Sequence, residues 1–225
     1  MTTQIDSHVQ DQTAKDASAT VPFLDVLYGR HSVRKYDSSV SISEEEIREM
    51  IEIATRAPSS SNMQPWRFLV ITDQETKQKL VPVAFNQQQV AEASAIVIVL
   101  GDLEMYKKSE EIYDASFKAG FMSEEVKNNM TANSLKMYPS LPAERLKEIV
   151  VFDTGLVAMQ LMLTARAKGY DTVPMGGYNR DQVIEMFGIP PQYLPTLMLP
   201  IGKAATPGHM TPRLPVDEIT FFNQM

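Results

Sequence analysis

The chain has 225 residues, 44% hydrophobic and 22% charged, which is enough apolar material for a large buried core in a globular protein. Its net charge of −7 argues against a surface that gathers nucleic acid through phosphate contacts, so any anion site must be local. With no cysteine, disulfides, iron–sulfur clusters, cysteine-bound zinc and thiolate catalysis are excluded, and a reducing cytoplasm is the expected compartment.

Residues 1–20 are polar, rich in Thr, Gln, Asp, Ser and Ala, and are expected to form a flexible extension ahead of a single domain over 21–225. They lack the basic-then-apolar order of a signal peptide. No apolar run approaches the roughly 20 residues that span a bilayer, so no membrane is expected. Phe23, Leu24, Val26, Leu27 and Tyr28 predict a short apolar helix, with Pro22 suited to its first turn and Gly29 to its end. Ser43 stands three residues before Glu46 as a capping box, and Ile47, Met50, Ile51 and Ala54 recur on one helical face. This second helix should end before Pro58.

Residues 68–72 and 94–101 are rich in Val and Ile without polar alternation, predicting strands covered on both faces. Residues 75–90 between them read as helical. From 104 to 147 the chain has helical character, many Met and aromatic residues and two prolines near Tyr138, but no single periodicity. Residues 149–168 are apolar almost all round and predict a fully buried helix, with Gly169 as its left-handed cap. A short strand at 170–173, a helix at 180–187 followed by Gly188, a last strand at 194–201 and a proline-rich extended tail from Lys203 complete the chain.

Several chemistries lack their motifs. There is no G-x-G-x-x-G after a strand, no phosphate-binding G-x-x-x-x-G-K-[ST], no H-E-x-x-H and no G-x-S-x-G, and His8, His31 and His209 are too scattered to predict a metal site. A dinucleotide needs a dedicated pyrophosphate turn, whereas a mononucleotide needs only one phosphate site.

Two segments carry chemistry. Arg30-His31-Ser32-Val33-Arg34-Lys35-Tyr36 offers guanidinium forks, a hydroxyl and an imidazole, a donor set that holds phosphate well. Alone, it reads first as a solvated basic loop at a helix end. Arg56-Ala57-Pro58-Ser59-Ser60-Ser61-Asn62-Met63-Gln64-Pro65-Trp66-Arg67-Phe68 is rich in short donors and acceptors, and alone it is a polar helix-to-strand connection.

Together, with about two dozen residues between them, these segments resemble the N-terminal signature of the FMN-dependent nitroreductases: an R-x-S-x-[RK]-x-[FY] box, then P-S-S-x-N-x-Q-P-W. The resemblance covers nearly all of residues 21–225. It implies an α+β fold with a central, mostly antiparallel sheet flanked by helices, in an intertwined homodimer. It implies an NAD(P)H oxidoreductase with tightly bound FMN, taking hydride from NADH or NADPH and passing it to nitroaromatic, quinone or related acceptors in ping-pong turnover. A flavin-binding storage or sensor protein, and a specialised dehalogenase or flavin-cleaving member, remain alternatives.

Carried over by position, Arg30 and Ser32 resemble phosphate ligands, joined by Arg213 and Lys203 from the tail, with His31 packed nearby. Arg34 resembles the basic residue facing the flavin N1 and O2 edge, and Asn86 and Gln89 the residues that bond the pyrimidine ring. Some relatives have lysine where Gln89 stands, which puts more of the work on Arg34. Pro58, Ser59, Ser60, Asn62 and Gln64 resemble the loop that the second subunit lays against the flavin. Pro174, Met175, Gly176 and Gly177 resemble the backbone that approaches N5, where glycine removes an obstructing Cβ. Several relatives carry glutamate at the position of Gly176. No catalytic side chain is assigned, because the organic chemistry belongs to the cofactor. The excursion around Phe117, Phe121, Met122 and Tyr138 either roofs the pocket or packs as a helical hairpin on the core.

Overall fold

The computed structural model describes residues 21–225, and its organising element is the strand β2, Ala95–Asp102, which is buried at every position. Side chains alternate across a strand, so Ile96, Ile98 and Leu100 enter one apolar cluster while Ala95, Val97 and Val99 enter another on the opposite face. The unbroken apolar run is therefore required, because both faces are covered.

Around β2 the sheet has the order β1-β2-β4-β3, with β1 at Trp66–Ile71, β3 at Asp171–Thr172 and β4 at Tyr193–Gly202, all paired antiparallel. Strand β1 departs from expectation. Residues 67–70 are only partly buried, and β1 is an edge strand whose outer side has no neighbouring strand among the described residues.

One face of the sheet is covered by α2 (Glu44–Ala54) and α7 (Ala143–Ala167), which contribute Ile47, Met50, Val157, Leu161 and Ala165 to that cluster. The other carries α3 (Gln74–Val83), α4 (Gln89–Glu92) and α8 (Arg180–Phe187), with Leu80, Val90 and Val183 buried. The remaining helices are α1 (Phe23–Gly29), α5 (Ser109–Lys118), α6 (Glu124–Ser140) and the short α9 (Val216–Ile219) in the tail. The flexible extension expected over 1–20 lies outside the described residues.

Only half of the capping box forms: Ser43 Oγ accepts from Glu46 N at 3.1 Å and starts α2, while the Glu46 carboxylate accepts instead from the Tyr170 hydroxyl at 2.8 Å. Gly169 adopts left-handed backbone as expected, with φ of 76°, and Gly188 does so too, at 58°. Residues 75–90 are not one helix. Pro82 lacks the N–H that would continue the ladder, and Phe85 and Asn86 turn the chain at φ of 54° and 59° before α4 begins.

Helix α7 corrects two expectations. It is long and apolar enough by composition to cross a membrane, although half of its most apolar window is buried inside the fold. Nor is it buried all round. Phe152, Gly155 and Met159, spaced along one helical stripe, are exposed in the single chain. The excursion resolves into a short 3-10 turn, α5, α6 and the start of α7 around a satellite core of Met63, Met105, Tyr113, Tyr138 and Val150.

Candidate functional site

The 30–36 segment leaves the end of α1 and joins the sheet margin: Val33 N donates to Thr172 O at 3.1 Å, and Ser32 forms an isolated parallel bridge with Thr172. Asp37 N donates to Lys203 O, and Ala205 N to Lys35 O, both at 2.9 Å, so the chain leaving β4 runs alongside. Buried Tyr36 pins this segment by donating its hydroxyl to Pro200 O at 3.3 Å, and burial pushes that phenol far up, keeping it a donor. Farther along, Gly208 lies where a Cβ would come within 2.9 Å of His31 Cβ and 3.0 Å of Ser32 O, so only a residue without a side chain lets the tail pass.

Helix α4 brings the next group to the same margin. Lys35 Nζ lies 3.6 Å from Glu92, whose other oxygen accepts from Tyr36 N at 3.4 Å. Gln89 is buried, its amide donating to Gln87 Oε1 at 2.9 Å and contacting Met175 Sδ at 3.8 Å. Gln87 in turn donates to Gly177 O at 2.8 Å and Ala84 O at 3.0 Å. Gln87 was passed over in sequence because it is one of three consecutive glutamines, any of which could face inward. Met175 is bridged to Met198 on β4, which fixes Pro174, Gly176 and Gly177 beside it. Asn86 is exposed at the turn before this group.

The structure thus places Arg30, His31, Ser32 and Arg34 at one end of the sheet, with Gln89 and residues 174–177 farther along β4, beside Met198. Among the described residues neither Arg30 nor Arg34 makes a side-chain hydrogen bond or salt bridge, and Arg34 is exposed. A Cβ on Gly176 would meet nothing within 4 Å, and its φ is not left-handed, so neither packing nor backbone geometry demands glycine there. The residues fit FMN: cationic donors for a phosphate, an amide cluster for a ring edge, and open backbone for a flat face.

Two tail residues make local contacts in the single chain. The Lys203 ammonium is engaged by Gly169 O and sits 4.4 Å over the Tyr170 ring, turned to its own neighbours. The Arg213 guanidinium donates to Thr211 and Pro212 in the exposed tail.

The loop carrying Pro58, Ser59, Ser60, Asn62 and Gln64 lies at the other end of the sheet, where Asp102 N donates to Pro65 O at 2.6 Å. It is held in a costly form, with Ser61, Asn62 and Gln64 at φ of 51°, 55° and 48°, each about 1–3 kcal/mol above ordinary backbone. The offsetting bonds are specific. Gln64 N donates to Ser59 Oγ at 3.0 Å, Ser60 N to Asp153 Oδ2 at 3.0 Å and Ser60 Oγ to Asp153 Oδ1 at 3.2 Å. Asp153 was the other residue missed, although an acid in the apolar middle of α7 was itself a signal. Burial holds its carboxyl above the usual range, opposed by the Ser60 bonds.

The two candidate segments therefore do not meet within one chain. Gly29, beside Arg30, abuts Arg166, while Ser60 is tied to Asp153, thirteen residues away on α7 and about 20 Å apart at about 1.5 Å per residue. The length of β2, about 24 Å at about 3.4 Å per step, agrees.

Comparison with known proteins identifies the family. The nitroreductase family model matches residues 27–203. YdgI of Bacillus subtilis, which carries the name of an NAD(P)H nitroreductase, is 48% identical over 202 residues, covering 89% of this chain and 97% of its own. The CLA biosynthesis enone reductase of Lactiplantibacillus plantarum is 36% identical over 191 residues, covering 83% of this chain and 88% of its own. A crystal structure from Exiguobacterium sibiricum in complex with FMN superposes with a TM-score of 0.86 at 46% identity, covering 94% of this chain and 99% of that one. With the signature segments, the sheet order and the match over most of the chain in agreement, this protein belongs to the nitroreductase family of oxidoreductases.

Proposed function

We propose that the protein is an FMN-dependent NAD(P)H oxidoreductase acting on nitroaromatic, quinone or related conjugated acceptors, with each active site built from two subunits. The observation that carries this reading is the separation of about 20 Å between two preformed half-sites in one chain. One half offers guanidinium groups and open backbone, the other a strained polar loop, and a second copy can supply to each what it lacks.

In this reading Arg30 and Ser32 hold the phosphate, with His31 packed alongside. Arg34, Asn86 and Gln89 address the ring edge, and Pro174, Met175, Gly176 and Gly177 leave room for its face. Pro58, Ser59, Ser60, Asn62 and Gln64 close the site from the second copy. Bound FMN supplies the redox chemistry, accepting hydride from NADH or NADPH and delivering it to the acceptor. Arg34 holds a fixed positive charge where negative charge develops on reduction, a preorganised stabilisation that raises the reduction potential.

Exposed apolar surface supports the pairing. Phe152 is 65% exposed on α7, and the tail beyond Gly208 carries Leu214, Val216, Ile219, Phe221 and Phe222 in the open. A lone chain seldom leaves so much apolar surface uncovered. Among the described residues the β1 edge is likewise unpaired.

The test is spectroscopic. Purified protein should be yellow with one FMN per chain, bleach on addition of NADH or NADPH, recover with a quinone, and give parallel double-reciprocal plots. FMN-loaded protein that neither nucleotide bleaches would overturn the reading.

A further inference from the structure

Asp153 lies fully buried in α7, and both its oxygens accept from the one residue Ser60. No cation pairs with it among the described residues. Burying an unpaired carboxylate is unfavourable, and an apolar side chain would fill the same space, so packing alone does not account for it.

Two further anchors reach the same loop from the helical excursion. The Tyr113 hydroxyl donates to Ser61 O at 2.8 Å, and the Tyr138 hydroxyl donates to Ser60 O at 3.4 Å. Tyr113 also shares a 3.3 Å hydrogen bond with Ser134 Oγ, which ties α5 to α6. All three anchors lie outside the loop, on three different helices, and converge on the residues just before and within its left-handed stretch.

The geometry points to Asp153 as a positioning residue for the neighbouring subunit's flavin: with Tyr113 and Tyr138 it clamps the 58–64 loop in the strained form that meets FMN. The same turn of α7 presents Val151 and Phe152 outward, so the clamp and the exposed apolar stripe share one rigid element. Supporting residues of this kind hold contact groups in productive geometry without touching the ligand. The inference rests on the reading of the loop as a flavin contact.

The decisive experiment uses full-length Asp153→Asn, which keeps the volume and removes the charge. FMN titration by fluorescence, visible circular dichroism at saturating FMN and the melting temperature of the apoprotein are compared with wild type. The dissociation constant for FMN should rise about ten-fold and the flavin dichroism should change, while the apoprotein melts no lower. Asn62→Ala, a change within the loop, tests the underlying reading separately. If Asp153→Asn leaves the saturated dichroism at wild type while Asn62→Ala alters it, the clamp is overturned and the flavin reading stands. If neither variant alters it, both fall. Should Asp153→Asn fail to fold as a dimer, Tyr113→Phe removes the bond to Ser61 O with little loss of volume, and an unchanged flavin spectrum there overturns the clamp.

Discussion

A methyl group added at Gly101 would lie 2.2 Å from Val150 Cγ1, whereas one added at Gly176 would touch nothing. The first glycine is required by packing where α7 crosses β2, so Gly101→Ala should cost about 1–3 kcal/mol by overpacking, read from the denaturation midpoint. Gly176→Ala should stay within about 0.5 kcal/mol of wild type by the same measurement and act instead on flavin binding and NAD(P)H kinetics. A Gly176 variant with normal kinetics would remove this backbone from the site. Asp153 adds a pH signature. Its raised carboxyl pKa means that the folded state binds the proton more tightly than the unfolded state, so its ionisation weakens the fold at neutral pH and that penalty fades as pH falls through the folded pKa. Apo Asp153→Asn should therefore exceed wild type in melting temperature most at neutral pH, with the gap closing on acidification. Tyr138 faces this carboxyl, and burial pushes its hydroxyl up and out of that range.

At the scale of elements, helix α2 was legible in full because its information is local: the Ser43 cap and a four-residue apolar stripe lie within twelve residues. Ser43→Ala should cost about 1 kcal/mol in stability by chemical denaturation, and a value near zero would mean that packing alone sets the helix start. Strand β2 was legible because burial on both faces leaves an unbroken apolar run. The failures are non-local. Whether residues 67–70 are covered depends on what lies beside β1, which is an edge strand among the described residues. Residues 75–90 read as one helix because Phe85 is an unusual residue for left-handed backbone and gives no warning of a turn. Helix α7 read as buried all round because apolar residues facing a core and those left exposed on the single chain look alike in composition. Phe152 separates the two cases. Phe152→Glu should yield a monomer by analytical ultracentrifugation and release FMN, while a dimer of unchanged mass would show that this stripe is not the interface.

On the proposed reading, the whole molecule poses a question that no single chain answers, which is where the second half of each site comes from. Both halves of the signature were readable from their residues, because a phosphate-binding donor set and a polar loop have recognisable chemistry. Their separation of about 20 Å was not, because it depends on how α7 and β2 span the fold. If two subunits share each site, defects in different halves should complement. Arg34→Ala damages the half that a chain keeps, and Asn62→Ala the half that it lends, so each homodimer should hold FMN weakly. In a heterodimer of the two, isolated by tandem tags, both defects fall in one site and the other site is wild type in every residue. It should retain about one tightly held FMN and about half the wild-type rate per dimer. Were the site formed within a chain, each half of the heterodimer would carry its own defect, and neither flavin nor activity would return.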